Sequence, residues 1–222
     1  MNHTSAALAA LSLTVATAFA GIAPAPVDKG PVPAPPLTDP CAGPISYNNV
    51  ELLYAYTDWD GPSDNGDSGV LRVEYSPRQN FYLALSGEYL DYESGHSWIA
   101  TGGVGLYYPV SDNIHLAADG GAVYVRDEFD SFFSPVRGAQ RIEHTNEEWG
   151  WYVRPHLRAK WGCLTVHAGA MYVDAGDETS FNDEWFGFAN LYYQLAANWD
   201  ITAGVRHGDD ATTWSGGVRW RY

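Results

Sequence analysis

Long apolar runs are almost absent from this sequence. Mean hydropathy is −0.26, and the one extended apolar stretch, ALAALSLTVATAF at 7–19, is too short to cross a bilayer as a helix. A bundle of membrane helices is therefore excluded. Basic residues are also scarce: 12 Lys and Arg stand against 27 Asp and Glu, a formal charge of −15. Nucleic acid is a poor partner for such a chain, because phosphate binding needs clustered Lys and Arg. Cysteine stops at two, Cys41 and Cys163, a count that suits either one disulfide or two inert thiols. The CxxC, HExxH, GxSxG and P-loop patterns are all missing, so none of the strong catalytic motifs is present. No catalytic residue, metal ligand set or cofactor is assigned.

What is abundant points elsewhere. Aromatics make up 14% of the chain and Gly reaches 23, a composition that suits short strands and tight turns better than helices. The apolar stretch at 7–19 ends in Ala18-Phe19-Ala20, the small-x-small pattern of a signal-peptidase site. Residues 1–20 are read as a signal peptide cleaved after Ala20. Its first five residues hold neither Lys nor Arg; the positive charge is supplied by His3 and the amino terminus or lies upstream. Residues 21–46 follow as a Pro- and Ala-rich periplasmic spacer, since APAPVDKGPVPAPPLTDP favours extended chain over a packed core. Residues 47–222 form the folded domain.

From Tyr47 onward polar and apolar residues alternate with period two, the signature of strands. Ten segments are expected, near 48–59, 69–76, 81–92, 98–108, 114–126, 147–159, 163–174, 184–196, 199–207 and 212–222, with eight as the alternative if the eighth and ninth are misread. Most have the 9–12 residues that a tilted strand needs to cross a bilayer. The connectors alternate between short turns (77–80, 109–113, 160–162, around Asn198) and longer acidic loops (60–68, 93–97, 127–146, 175–183, 208–211). Short turns at the periplasmic end and long loops outside are the outer-membrane pattern. Pro155 falls inside the sixth segment, where it cannot donate to a ladder, so a bulge or weak pairing is expected there.

Parity separates the two faces. One carries Leu52, Leu71, Leu85, Val104, Leu106, Leu116, Leu191 and Val218, with aromatics such as Tyr89, Trp98, Trp149 and Trp185 at the loop end and Tyr75, Phe81, Tyr108 and Tyr193 at the turn end. Two aromatic rings bracketing aliphatics are what a lipid-facing surface shows, because amphipathic rings prefer the headgroup level. The expected fold is all-β: a closed antiparallel transmembrane β-barrel in the outer membrane.

On these grounds the chain resembles the small outer-membrane β-barrel proteins of Gram-negative-type bacteria, the group containing OmpA-, OmpX- and OmpW-like barrels. The features that carry the resemblance are the signal peptide, the alternation over 48–222 and the final run Trp214-x-Gly216-x-Val218-x-Trp220-x-Tyr222. The resemblance implies that Val218, Trp220 and Tyr222 act as the signal read by the barrel-assembly machinery. It also implies outer-membrane lipid and lipopolysaccharide as neighbours. It assigns no role, since one fold hosts many.

The inward face mixes signs: Arg72, Arg154, Arg158, Arg206 and Arg219 oppose Glu74, Glu88 and Asp119, with His156 among them. Charges across a narrow lumen should pair, because an unpaired buried charge is costly. Barrels near eight strands are filled by their own side chains, so a plugged or very narrow interior is expected. The alternative is a narrow channel for ions or small solutes, lined by Arg154, His156 and Arg158 facing Glu74 and Glu88. Cys41 and Cys163 both fall at the periplasmic end, where a disulfide is permitted and would tie the spacer across the barrel mouth; two free thiols are the alternative. The loop at 127–146 brings Phe129, Phe132, Phe133, Arg137 and Arg141 into otherwise acidic surroundings. It is the leading candidate for surface contact, so the first functional expectation is a non-enzymatic barrel for envelope integrity or surface contact. A third possibility, a hydrolase at the rim, would use His207 with Asp209 and Asp210.

Overall fold

The computed structural model describes Cys41 and residues 43–59, 65–93, 95–133, 140–176 and 183–222. The expected signal peptide, its cleavage site and all but the end of the spacer lie outside the described residues. Ten strands follow: β1 (Asn49–Trp59), β2 (Asn65–Arg78), β3 (Phe81–Tyr92), β4 (Gly95–Ser111), β5 (Ile114–Phe133), β6 (Gln140–Trp161), β7 (Leu164–Asp174), β8 (Glu184–Ala196), β9 (Trp199–His207) and β10 (Ala211–Arg221). Each pairs antiparallel with its sequence neighbours, and β1 pairs with β10, so the sheet closes. Closure removes both sheet edges. The count is ten, and the eight-strand alternative is overturned.

Four connections are two-residue hairpins, set by the pairs Arg78↔Phe81, Ser111↔Ile114, Trp161↔Leu164 and Ala196↔Trp199. Each turn contains Asn or Gly, the residues that tolerate the left-handed backbone such turns demand. Asn80 has φ 67° and Gly162 φ 57°. Register shifts fall between Tyr75 and Arg78 and between Pro109 and Ser111. Those intervals hold Pro77 and Pro109, which cannot donate to a ladder and so sit at irregularities. Around Pro155 the β6–β7 pairing lapses between Val153↔Tyr172 and His156↔Gly169, with the same register on both sides. The pairing is weak there, as Pro requires, and the register does not slip.

Three loops are shorter than the sequence suggested. Residues 65–68 belong to β2, 95–97 to β4, and most of 127–146 to β5 and β6, whose ladder runs to Phe133↔Gln140. The aromatic band marks the end of lipid and not the end of each strand. Beyond it the ladder continues in water with polar side chains such as His144, Thr145 and Glu147. β6 has 22 residues and pairs with β7 only from Trp151 onward. Residues 140–150 therefore stand clear of that pairing, on the order of 35 Å along the strand.

The faces divide by parity. Leu106 is 66% exposed, Leu85 58% and Trp149 71%, with no protein covering them. An apolar belt of this extent has no stable place in water. Inward side chains are buried, including Glu51, Glu88, Asp119, His156, Arg158 and Asp200.

Candidate functional site

The interior is ordered in layers. At the short-turn end Cys41 and Cys163 form a disulfide, with Cα atoms 4.6 Å apart and a sequence separation of 122. Lys160 Nζ donates to the Gly43 carbonyl at 2.9 Å. The chain then turns into the mouth, so Ile45 and Tyr47 are buried against Tyr82 and Ala84. Tyr47 stacks on Tyr107 at 4.1 Å between ring centroids and 9° between planes, with His115 beyond at 5.3 Å from Tyr107. The last residues assigned to the spacer thus enter the barrel.

Above this plug Arg158 clasps Glu74 through two nitrogens, at 2.8 and 2.5 Å, and its guanidinium lies 4.2 Å over the Tyr47 ring. Asn49 Nδ2 donates to Glu74 at 2.9 Å. The planar fork of Arg suits such a bidentate grip. On the facing wall Asp119 Oδ2 accepts from Tyr82 at 2.8 Å and from Arg154 Nε at 3.0 Å. Tyr82 can lie flat there because position 105 is Gly; a Cβ on Gly105 would overlap its ring. His156 is 3.6 Å from Asp119 and packs its ring on His167 at 4.5 Å.

A third cluster joins β9 and β10. Asp200 accepts from Arg219 at 2.6 and 2.7 Å and from Arg221 at 3.2 Å, and Arg219 lies 3.6 Å over Tyr192. Nearer the outside, Glu88 accepts from Ser68 at 3.0 Å and faces Arg206 at 3.3 Å. Arg72 has only a long contact, 3.9 Å to Glu51. The nine residues expected on the inner face point inward, eight of them in four separate clusters and Arg72 apart from these. Sequence reasoning missed Asp200, Tyr47 and Tyr82. Asp200 was legible, since Trp199 faces outward and its neighbour must face inward. Tyr47 was not, because nothing local distinguishes a plug from a first strand residue.

Space remaining inside is small. A cavity of about 50 Å³ lies among Arg72, Glu88, Arg154, Asn190, Arg206 and Ser215. Another of about 30 Å³ borders Arg72, Arg154 and His167, and one of about 10 Å³ lies between the plug and Arg158.

The other expected residues divide as follows. Val218 is exposed on the outer face of β10, with Trp220 partly covered and Tyr222 just past the strand. Phe129, Phe132, Phe133 and Arg141 belong to β5 and β6, but their side chains, and all of Arg137, lie outside the described residues. His207 Nδ1 meets Thr212 Oγ1 at 2.9 Å. Ser215 lines the cavity of about 50 Å³.

An apolar, aromatic-rimmed exterior around a charged interior defines a transmembrane β-barrel of the outer-membrane type. No family model matches the chain, and no curated protein matches it. Among solved structures it is similar to the KdgM porin (12% identity, TM-score 0.41, covering 78% of this chain and 99% of that one). It is also similar to the NanC porin (8%, 0.44, 78% and 100%) and to Ail, the attachment invasion locus protein of Yersinia pestis (12%, 0.39, 78% and 95%). The class stated above follows from the barrel's own two faces and not from these likenesses.

Proposed function

We propose that this chain is a non-enzymatic, non-conducting barrel of the bacterial outer membrane that holds the β5–β6 hairpin out from the cell surface as a contact element. The observation that supports this reading most is the plugged lumen. The Tyr47 stack, the Arg158–Glu74 pair and the Cys41–Cys163 bond occupy the periplasmic mouth, and the cavity above them beside Arg72, Arg154 and Arg206 is about 50 Å³. The length of the hairpin supplies the second half. In this reading lipid and lipopolysaccharide surround the belt, Val218, Trp220 and Tyr222 present the assembly signal, and a signal peptide ending at Ala20 is removed on export.

Two measurements test it. The refolded protein, confirmed as closed by a gel mobility shift on heating, is recorded in a planar bilayer and should be silent. Phe132→Ser/Phe133→Ser should then weaken adhesion of cells displaying the barrel. A steady conductance altered by Arg154→Gln would replace this reading with a narrow channel, the alternative favoured by the row of small cavities. Unchanged adhesion would leave envelope integrity as the barrel's task.

A further inference from the structure

The lumen contains a group of donors that the ion pairs do not use. The cavity of about 50 Å³ is walled by Arg72 from β2, Arg154 from β6 and Arg206 from β9, with Asn190, Thr213 and Ser215 beside them. A single carboxylate, Glu88, borders it, and that carboxylate already accepts from Ser68 and Arg206. Arg154 spends its Nε on Asp119, which does not line the cavity; its two Nη groups have no partner among the described residues. Among the described residues Arg72 reaches only Glu51, at 3.9 Å, beyond hydrogen-bond range. The amide of Asn190 and the hydroxyl of Ser215 make no hydrogen bond among the described residues. Gly204 leaves room for both: a Cβ there would collide with Asn190 Oδ1 and lie 2.9 Å from Ser215 Oγ. Three guanidiniums, each paired on one side with a carboxylate (Glu51, Asp119 and Glu88), still turn unused N–H groups toward one small space, where like charges repel.

We infer that this cavity is a binding site for a small monovalent inorganic anion of halide size, held by Arg72, Arg154 and Arg206 with Asn190 and Ser215 as neutral donors. The size limit is physical. A space of this volume takes about three or four water-sized particles, enough for a halide with part of its hydration. Asn and Ser suit the role because they donate without adding charge. The anion supplies acceptors for the N–H groups that the ion pairs leave unused, and its binding is independent of whether the barrel conducts.

The test uses the refolded full chain in detergent and chloride as the probe, read by the ³⁵Cl NMR linewidth across a chloride titration, with gluconate holding ionic strength constant. The wild type should show a broadening component that saturates with chloride. Arg72→Gln should remove it, and so should Asn190→Leu, which fills the cavity without touching a charge. Heat modifiability of each variant confirms that the barrel has closed. Absence of a saturable component in the wild type would overturn the site, and so would its persistence in both closed variants.

Discussion

Replacing Arg158 by Met is the sharpest test of the buried interior. The Arg158 side chain is 3% exposed and that of Glu74 11%, and the two meet at 2.8 and 2.5 Å, so solvent screening does not dilute the pair. Removing the cation leaves Glu74 with Asn49 Nδ2 as its remaining hydrogen-bond donor. Breaking a buried pair from one side costs about 3–5 kcal/mol. Loss of the guanidinium over Tyr47 at 4.2 Å adds about 1–2 kcal/mol. Glu74→Met strands the opposite charge and should cost a similar amount. The double variant Arg158→Met/Glu74→Met strands nothing and fills the space with apolar atoms, so it should cost less than either single change. The assay is urea unfolding of vesicle-embedded barrel followed by tryptophan fluorescence, with slopes compared to exclude a change in the unfolded state. If the double variant costs the sum of the two singles within about 0.5 kcal/mol, the groups do not act as a pair and the layered interior is misassigned.

Three further outcomes are expected. Leu85→Arg, on a position 58% exposed in mid-strand, should destabilise the barrel in vesicles by about 2–4 kcal/mol, whereas a soluble barrel would hardly register it in the same urea titration. Gly105→Val forces Tyr82 off the inner wall and should cost about 1–3 kcal/mol by overpacking, with loss of near-ultraviolet circular dichroism from the displaced ring. Cys41→Ser opens a closed loop spanning 122 positions and should lower stability by about 2–5 kcal/mol, seen as an earlier urea midpoint; reduction of the wild type should reproduce it.

Much of the barrel was legible because a strand in lipid has two environments and only two. Period two therefore carries both the element and its orientation, and it puts Glu74, Asp119, Arg154 and Arg158 on the inner face. The hairpin was misjudged for the same reason. Past the headgroups both faces of β5 and β6 meet water, so Thr145 and Glu147 lose the contrast that marks a strand, although the ladder continues. The partners of the inward charges were a different problem. Parity says that Arg158 and Glu74 face the lumen but not that they meet, because β2 and β6 are not neighbours in the sheet and only the barrel's diameter and stagger bring them together.

The plug follows from the same geometry. A ten-stranded wall encloses more space than its inward side chains fill on their own, since many of them are small: Ala84, Gly103, Gly105, Ala117 and Gly121 all face the lumen on β3, β4 and β5. Two routes fill such a space, larger inward residues or a segment from elsewhere in the chain. The barrel uses the second at the periplasmic end, where Tyr47 lies among Tyr82, Tyr107 and His115, and leaves the outer half with cations around a residual cavity. A filler that enters from outside the wall needs its own anchor, because the ladder gives it none. The disulfide to Cys163 and the Lys160 bond to Gly43 hold it from one side of the mouth, and the Arg158 guanidinium holds the ring from above. The prediction that separates anchor from filler is Tyr47→Ala with the disulfide intact. If the segment is a filler, this variant should stay closed and heat-modifiable, lose about 3–5 kcal/mol of stability as a large aromatic leaves a packed site, and show conductance in the planar bilayer where the wild type is silent. A variant that loses the stability but remains silent would show that the Arg158–Glu74 layer alone seals the lumen, and the plug would then be a device for stability rather than closure.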